Sequence, residues 1–205
     1  MALTNYSTLL TSLADWLDRD DITAVSETWV DLAEARIYRE LRHSFMESAL
    51  SVTISSGVAA LPADLLELKV AYLNTTPTTP LQVRNVDWIH ARYPQRSADG
   101  IPCFVAVEQN SFIFGPYPDS AYTMEGTYYA KPDPLATTTN ETNWLTDNAP
   151  DMLLYGSLVH SAPYIGHDQR AALWEAAYQD ALTRVQNADK REDFPLSMPL
   201  RQVPG

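Results

Sequence analysis

The spacing of apolar residues changes twice along this chain, and that change constrains the fold more than any other feature. Near both ends apolar residues recur at steps of three and four, which is the spacing of amphipathic helices. From Ser48 they alternate every second residue instead, which is typical of strands with one buried face. The sequence therefore predicts an α+β fold. We expect a helical bundle core of two N-terminal and two C-terminal long helices, with an inserted small antiparallel β-sheet or sandwich.

The same change of spacing sets the predicted domain boundaries. We expect a helical core from residues 1–47 and 146–193, a β-rich insertion over 48–145 and an extended C-terminal tail over 194–205. The tail has three prolines and no helical period, so it cannot complete a core alone. Apolar extended tails often dock on a partner. The predicted docking residues are Phe194, Leu196, Met198, Leu200 and Val203.

Two helices carry the clearest patterns. The first begins between Thr23 and Ser26, with Ser26 as its predicted N-cap. The last is predicted to be capped by Asp168 and carries a narrow apolar seam rich in alanine, which suits close packing on another helix. A third helix, capped near Asn148 with Pro150 in its first turn, is apolar nearly all round to Ile165 and should be buried on several sides.

The middle of the chain predicts strand pairs. Residues 50–54 and 58–61 flank a Ser-Gly turn and predict a hairpin, and residues 103–107 and 111–114 predict another. Residues 81–84 are predicted to pair with the strand at 66–72, and residues 124–129 form a further strand.

Composition excludes several classes of function. Acidic residues outnumber basic ones 26 to 14, and the resulting charge of −12 opposes tight binding of DNA or RNA. No apolar run reaches the roughly 20 residues that cross a bilayer, so no membrane contact is expected, and the N-terminus lacks the pattern of a secretion signal. The single cysteine, Cys103, has no partner for an internal disulfide and is expected in the core.

No catalytic, metal or cofactor motif is apparent. Phosphate-binding glycine loops and zinc or nucleophile motifs are absent, and the four histidines do not fall at metal spacing. We therefore predict no enzyme activity, no catalytic residue and no cofactor. Glu27, Asp31 and Glu34 form a row that a peptidoglycan hydrolase would need as a carboxylate pair. A solvated or subunit-facing helix surface explains this row equally well.

Two motifs resemble one known family. Residues 13–42 read LADWLDRDDITAVSETWVDLAEARIYRELR, and residues 61–64 read LPAD before Leu66-Glu67-Leu68. These motifs resemble the adaptor (head–tail connector) proteins of tailed bacteriophages, chiefly short-tailed ones. In that family an acidic W-L-x-R-D-D helix end leads into a helix reading L-A-E-A-R-I-x-R-x-L-R.

The resemblance implies a structural protein of the virion. Such adaptors form a ring, typically a dodecamer, beneath the portal protein and above the tail nozzle or tail tube, and their C-terminal segment commonly grips the portal. The expected partners are thus copies of the chain itself, the portal, and a nozzle or tube protein. Genomic DNA would pass through without specific binding. The expected location is the head–tail interface of the virion, after synthesis in the bacterial cytoplasm. The alternative is another neck or tail component, such as a nozzle or tail-completion protein.

The resemblance and the residue pattern together predict two further sets of site residues. Helix-seam and subunit contacts are predicted at Trp29, Arg36, Arg39, Trp174, Tyr178, Ala181 and Val185. An anionic channel lining repels phosphate and keeps DNA moving. Candidates for that lining are Asp18, Asp20 and Asp21.

Overall fold

The chain folds into two units, one helical and one β-rich. The computed structural model describes residues 3–97, 99–166 and 169–192, and of residues 191 and 192 only the backbone. The helical unit runs up to Phe45 and resumes at Asp133, and the β unit is Met46–Pro132. The β unit is therefore an insertion within the helical unit, and the fold class is α+β, as predicted.

Six α-helices lie within the described residues. They are α1 (Tyr6–Leu17), α2 (Thr23–Glu40), α3 (Val86–Arg92), α4 (Trp144–Asn148), α5 (Pro150–Ile165) and α6 (Ala171–Glu192). All except α3 belong to the helical unit. In that unit α5 packs against α1, α2, α4 and α6, which accounts for its nearly continuous apolar sequence.

α2 begins at Thr23, within the predicted range, but its predicted N-cap is wrong. Ser26 is buried inside the helix, and its hydroxyl bonds to the Thr23 carbonyl rather than capping the first turn. The helix instead begins one turn earlier, where the Ile22 carbonyl accepts from the backbone amides of Val25 and Ser26. Ile22 is itself buried, so apolar packing positions this helix end.

The region before α5 also differs from the prediction, since α4 was not predicted. Asn143 caps α4 through bonds from the Leu145 and Thr146 amides, while Asn148 closes α4 and does not cap α5. Pro150 occupies the first turn of α5, as predicted. The cap predicted at Asp168 lies outside the described residues.

Eight strands form two four-stranded sheets in the described part of the β unit. The strands are β1 (Glu47–Ile54), β2 (Val58–Ala60), β3 (Leu65–Leu73), β4 (Thr79–Pro80), β5 (Gln82–Val83), β6 (Phe104–Glu108), β7 (Ser111–Gly115) and β8 (Tyr122–Ala130). One sheet has the order β1-β8-β3-β4 and the other β2-β7-β6-β5. Their shared core includes Ile54, Leu73, Phe112, Phe114 and Met124.

Two predicted strand pairings are wrong, because the chain crosses between the sheets at both places. β1 pairs with β8 and β2 with β7, and the expected hairpin is reduced to a single bridge between Ser55 and Val58. At the second crossing Leu81 still bonds to Ala71 of β3, but Gln82 and Val83 pair with β6, and they do so in parallel. β4 takes the place beside β3.

The remaining strand predictions are confirmed. β6 and β7 form the predicted hairpin, with Gln109 at a positive φ of 53° in the turn. β8 covers the predicted strand at 124–129. Cys103 is exposed just before β6 begins, so its predicted place in the core is wrong.

The end of the β unit lies at Pro132 rather than at residue 145. The segment after Pro132 belongs with the helices because its polar groups bond to α2. The backbone amide of Leu135 and the side chain of Asn143 both donate to Glu34.

Candidate functional site

A buried carboxylate joins α2 to the segment that follows the β unit. Glu34 is only 2% exposed. One of its oxygens accepts from the Tyr38 hydroxyl at 3.2 Å and from Asn143 Nδ2 at 3.0 Å, and the other accepts from the Leu135 amide at 3.1 Å. Burial raises the pKa of Glu34 above its ordinary value, and these three donors oppose that rise. With both oxygens engaged by protein donors, Glu34 holds the fold together.

The predicted carboxylate row on α2 is therefore not a row of equivalent groups. Glu27 and Asp31 are exposed on the helix surface, whereas Glu34 points into the protein. Both Glu34 oxygens are engaged by protein donors, so the row gives the hydrolase alternative no support.

Arg36 links α2 to α6 through a dense set of polar contacts. Its guanidinium donates to both oxygens of Glu175, at 2.8 and 2.6 Å, and its Nε donates to Glu40 at 3.0 Å. The same group lies 4.2 Å above the Tyr178 ring, whose hydroxyl donates to Glu40 at 2.8 Å. The Arg36 hydrogen bonds lower the pKa of Glu175 to about 2. The predicted contact residue Arg36 is thus engaged within its own subunit.

The predicted helix seam is also largely internal. Trp29, Trp174, Tyr178 and Ala181 are buried within the described chain. α6 packs along α5, so its alanine-rich seam finds a partner helix in the same subunit. These four residues belong to the core, which corrects their assignment to subunit contacts. Arg39 is exposed and Val185 is half-buried, so both remain accessible to a partner.

The acidic turn between α1 and α2 lies on the surface. Asp18, Asp20 and Asp21 are all exposed, and Asp18 ends α1 in a left-handed conformation at φ 51°. Arg19 donates to both oxygens of Asp21, at 2.8 and 2.5 Å, and this hydrogen bonding lowers the pKa of Asp21. Arg19 therefore offsets one of the three carboxylates, and the turn keeps a net negative charge.

Large apolar side chains are exposed at the same end of the helical unit. Trp16 at the end of α1 is 43% exposed, and Tyr164 at the end of α5 is 56% exposed. Leu173 in the first turn of α6 is 70% exposed. Arg170 just before α6 bonds to the Trp16 carbonyl at 3.2 Å, which places the α1 and α6 termini side by side. Exposed apolar groups of this size are typical of interaction surfaces.

An open groove runs along the C-terminal half of α6. Its volume is about 620 Å³, and on one side the rings of Phe45 and Trp144 stack at 4.1 Å, 3° from parallel. His43 lies beside these rings and is buried, with its Nδ1 3.3 Å from Asp189 Oδ1. We call this feature the helix groove. It is lined by His43, Ser44, Phe45, Trp144, Asn148, Asp151, Ala181, Arg184, Val185 and Ala188.

Within the residues that the structure describes, no cluster of three or more His, Cys, Asp or Glu side chains is placed to hold a metal ion. Over the same residues, no helix combines the length and the apolar character needed to cross a membrane.

Comparison with known families shows which family this chain belongs to. A family model described as SU10 adaptor protein matches residues 4–202. The chain belongs to the SU10 adaptor protein family. The match covers both units and both motifs, so the predicted resemblance to bacteriophage adaptors is confirmed. No curated protein matches the chain.

Membership of the SU10 adaptor family makes this chain a bacteriophage adaptor, a structural component of the virion. Adaptors of this kind interact with other virion components such as portal and tail. The structural nature of the family agrees with the prediction that the chain is not an enzyme.

The burial of Glu34 and the helix groove were not predicted from the sequence. Glu34 follows Val30 and precedes Tyr38 at steps of four, so it belongs to a buried row beside the apolar stripe, and that spacing was the available signal. The helix groove had no such signal, because it is assembled from segments far apart in sequence. The five predicted tail residues, from Phe194 to Val203, lie outside the described residues.

Proposed function

We propose that this adaptor forms a closed ring, a dodecamer, directly beneath the portal and joins it to the tail nozzle or tail tube. Genomic DNA passes through the ring without specific binding. After synthesis in the host cytoplasm, the chain takes its place at the head–tail interface of the virion. The observation that carries this proposal is the match of the SU10 adaptor family over residues 4–202.

Exposed apolar residues support lateral contacts in such a ring. A ring needs heterologous contacts, in which one face of a subunit meets a different face of its neighbour. Trp16, Tyr164 and Leu173 offer apolar surface at one end of the helical unit, and Leu32 on α2 is 45% exposed. Arg39 and Val185 are the predicted contact residues that keep access to a neighbour.

Ring formation is tested by native mass spectrometry of the purified chain mixed with portal. We expect a complex in which many copies of the chain are added to the portal ring in one step, because neighbouring copies stabilise each other. Detection of monomers alone, with intact portal present, would contradict the proposal.

The channel lining is proposed to include Asp18, Asp20 and Asp21, which are exposed on a chain of net charge −12. Particles carrying Asp18→Asn and Asp20→Asn should eject DNA more slowly, because a less anionic wall holds phosphate longer. Asp180→Asn, at an exposed position on α6, is the control. Equal ejection rates for the double variant and the control would contradict this role.

The tail is proposed to dock on the portal through Phe194, Leu196, Met198, Leu200 and Val203. Deleting residues 194–205 should abolish capture of the chain by immobilised portal, since it removes all five apolar side chains. Removing only Pro204 and Gly205 spares them and is the matched control. Undiminished capture of the longer deletion would exclude the tail as the docking element.

A further inference from the structure

The helix groove lies beside the point where the tail leaves the helical unit. Ala181, Arg184, Val185 and Ala188 line it from one face of α6. The described part of α6 ends at Glu192, four residues beyond Ala188, which is about 6 Å along a helix axis. The tail thus begins within about one helical turn of the groove.

The tail is also long enough to return along the groove. Residues 193–205 follow the last described residue, and an extended chain spans roughly 3.3 Å per residue. The groove borders α6 from Ala181 to Ala188, a rise of roughly 10 Å. A short turn followed by four or five extended residues therefore covers its whole length.

The composition of the tail matches the groove. Phe194, Leu196, Met198 and Leu200 occur at every second position, so an extended segment would carry all four on one side. The intervening Pro195 and Pro199 disfavour continuation of the helix and favour an extended backbone. The groove offers the Phe45–Trp144 ring stack and the aliphatic side of α6 to such a row.

The charges of the tail and of the helix groove are also complementary. The groove carries the carboxylate of Asp151 in its lining and that of Asp189 beside His43. The tail places Arg201 directly after its apolar row. Arg184 also lines the groove, but it pairs with Asp180 at 2.6 Å, so Asp151 is an acidic group that Arg201 can approach.

We propose that in the free subunit residues 194–200 lie in the helix groove of the same chain, with apolar side chains against Phe45 and Trp144. Because the tail is tethered next to the groove, its effective concentration there is in the millimolar range, and a weak apolar contact suffices to hold it. Portal and groove then compete for one segment. The docked state belongs to the free subunit and is tested without portal. A failure of this test is therefore distinct from a failure of the proposed docking on the portal.

Disulfide trapping tests this placement directly. In a Cys103→Ser background, Leu196→Cys, on the groove-facing side of the tail, is combined with Ala188→Cys in the groove. Mild oxidation of the full-length chain should give an intramolecular cross-link, identified by peptide mapping of the monomer band, and its yield should not change on dilution. The matched control is Asn187→Cys, an exposed neighbour on α6 that does not line the groove and lies at nearly the same distance from the tail.

The expected result is a several-fold higher yield at position 188 than at 187. Equal yields at the two positions would overturn the proposal, because random collision of a tethered tail gives no preference. Cross-linked dimers in place of monomers would also overturn it, since the groove would then hold the tail of a second copy.

Amide hydrogen exchange is a second test of tail docking, and it needs no substitution in the groove. Deleting residues 194–205 should raise amide exchange in residues 144–151 and 181–188 and leave the β unit unchanged, because only the groove loses its cover. Unchanged exchange in both groove segments would contradict docking in the same chain.

Discussion

At the scale of single residues, the buried carboxylate of Glu34 is the polar group on which the helical unit depends most. Glu34→Ala removes the acceptor of the Leu135 amide and leaves that donor buried. We expect the free energy of unfolding to fall by roughly 2–4 kcal/mol, from the unsatisfied donor and the cavity together. Urea denaturation measures the change. Asp31→Ala, at an exposed position on the same helix, should stay within about 0.5 kcal/mol of the parent, and equal losses in the two variants would contradict this role.

The pair formed by Arg36 and Glu175 predicts a dependence of stability on pH. Arg36 lowers the pKa of Glu175 from 4.5 to about 2, so the pair stabilises the fold fully above pH 4.5. This contribution is lost as the pH falls from 4.5 towards 2. Glu175→Gln should therefore lower stability by about 0.5–1 kcal/mol at pH 7, a value that allows for solvent screening, and by almost nothing near pH 2.

Denaturant titrations of both proteins between pH 2 and 7 check this prediction. Asp180→Asn is the control, because its i,i+4 pair with Arg184 is far more exposed. A Glu175→Gln deficit that persists undiminished at pH 2 would show that the ion pair is not its source.

Residue roles could be predicted only where periodicity determines them. Helical spacing placed α2 correctly, yet its apolar residue Leu32 is exposed and Ser26, predicted as its cap, is buried. Periodicity gives the direction in which a side chain points. It does not say which neighbour, such as the Leu135 amide, will meet a buried carboxylate.

At the scale of elements, alternation located the strands but not their partners. β1, β3, β6, β7 and β8 all lie where the period-two pattern predicts them. Partner choice depends on where the chain changes sheets, and at the two wrongly predicted pairings it does so after Ile54 and after Leu81. Both crossings leave the alternation intact, so local sequence carries no sign of them.

Substitution of Gly126 in β8 tests whether β8 and β3 must lie as close together as they do. A Cβ at this position would overlap the carbonyl oxygen of Val70, at an irregularity in the register of β3. Gly126→Ala should therefore destabilise the protein by roughly 2–3 kcal/mol, since backbone must shift to admit the methyl group. Thermal unfolding followed by calorimetry measures the effect.

The same substitution at Gly156 of α5 is the matched control. Its added Cβ would lie 3.2 Å from the Cβ of Ala33, so α5 need shift from α2 by only a few tenths of an ångström, far less than the overlap at Gly126 requires. The gain in helix propensity, about 1 kcal/mol, offsets that cost. If Gly126→Ala proves as mild as Gly156→Ala, the close approach of β3 and β8 is not required by the fold.

At the scale of the whole molecule, the sequence was most informative about family. The motif at residues 13–42 contains α2 and the acidic turn before it, and its resemblance to phage adaptors agrees with a family match over residues 4–202. Subunit contacts were harder to predict. The apolar seam on α6 would have the same sequence whether its partner helix lay in the same chain or in a neighbouring subunit. Here the partner helix is α5 of the same chain.

The central claim is that this adaptor forms a ring between portal and tail. Cryo-electron microscopy of the head–tail junction in intact particles tests it most directly. We predict a closed dodecameric layer of this chain in contact with the portal, with Asp18, Asp20 and Asp21 facing the DNA channel. A junction in which another protein contacts the portal, and this chain lies in a different layer or is missing, would contradict the claim.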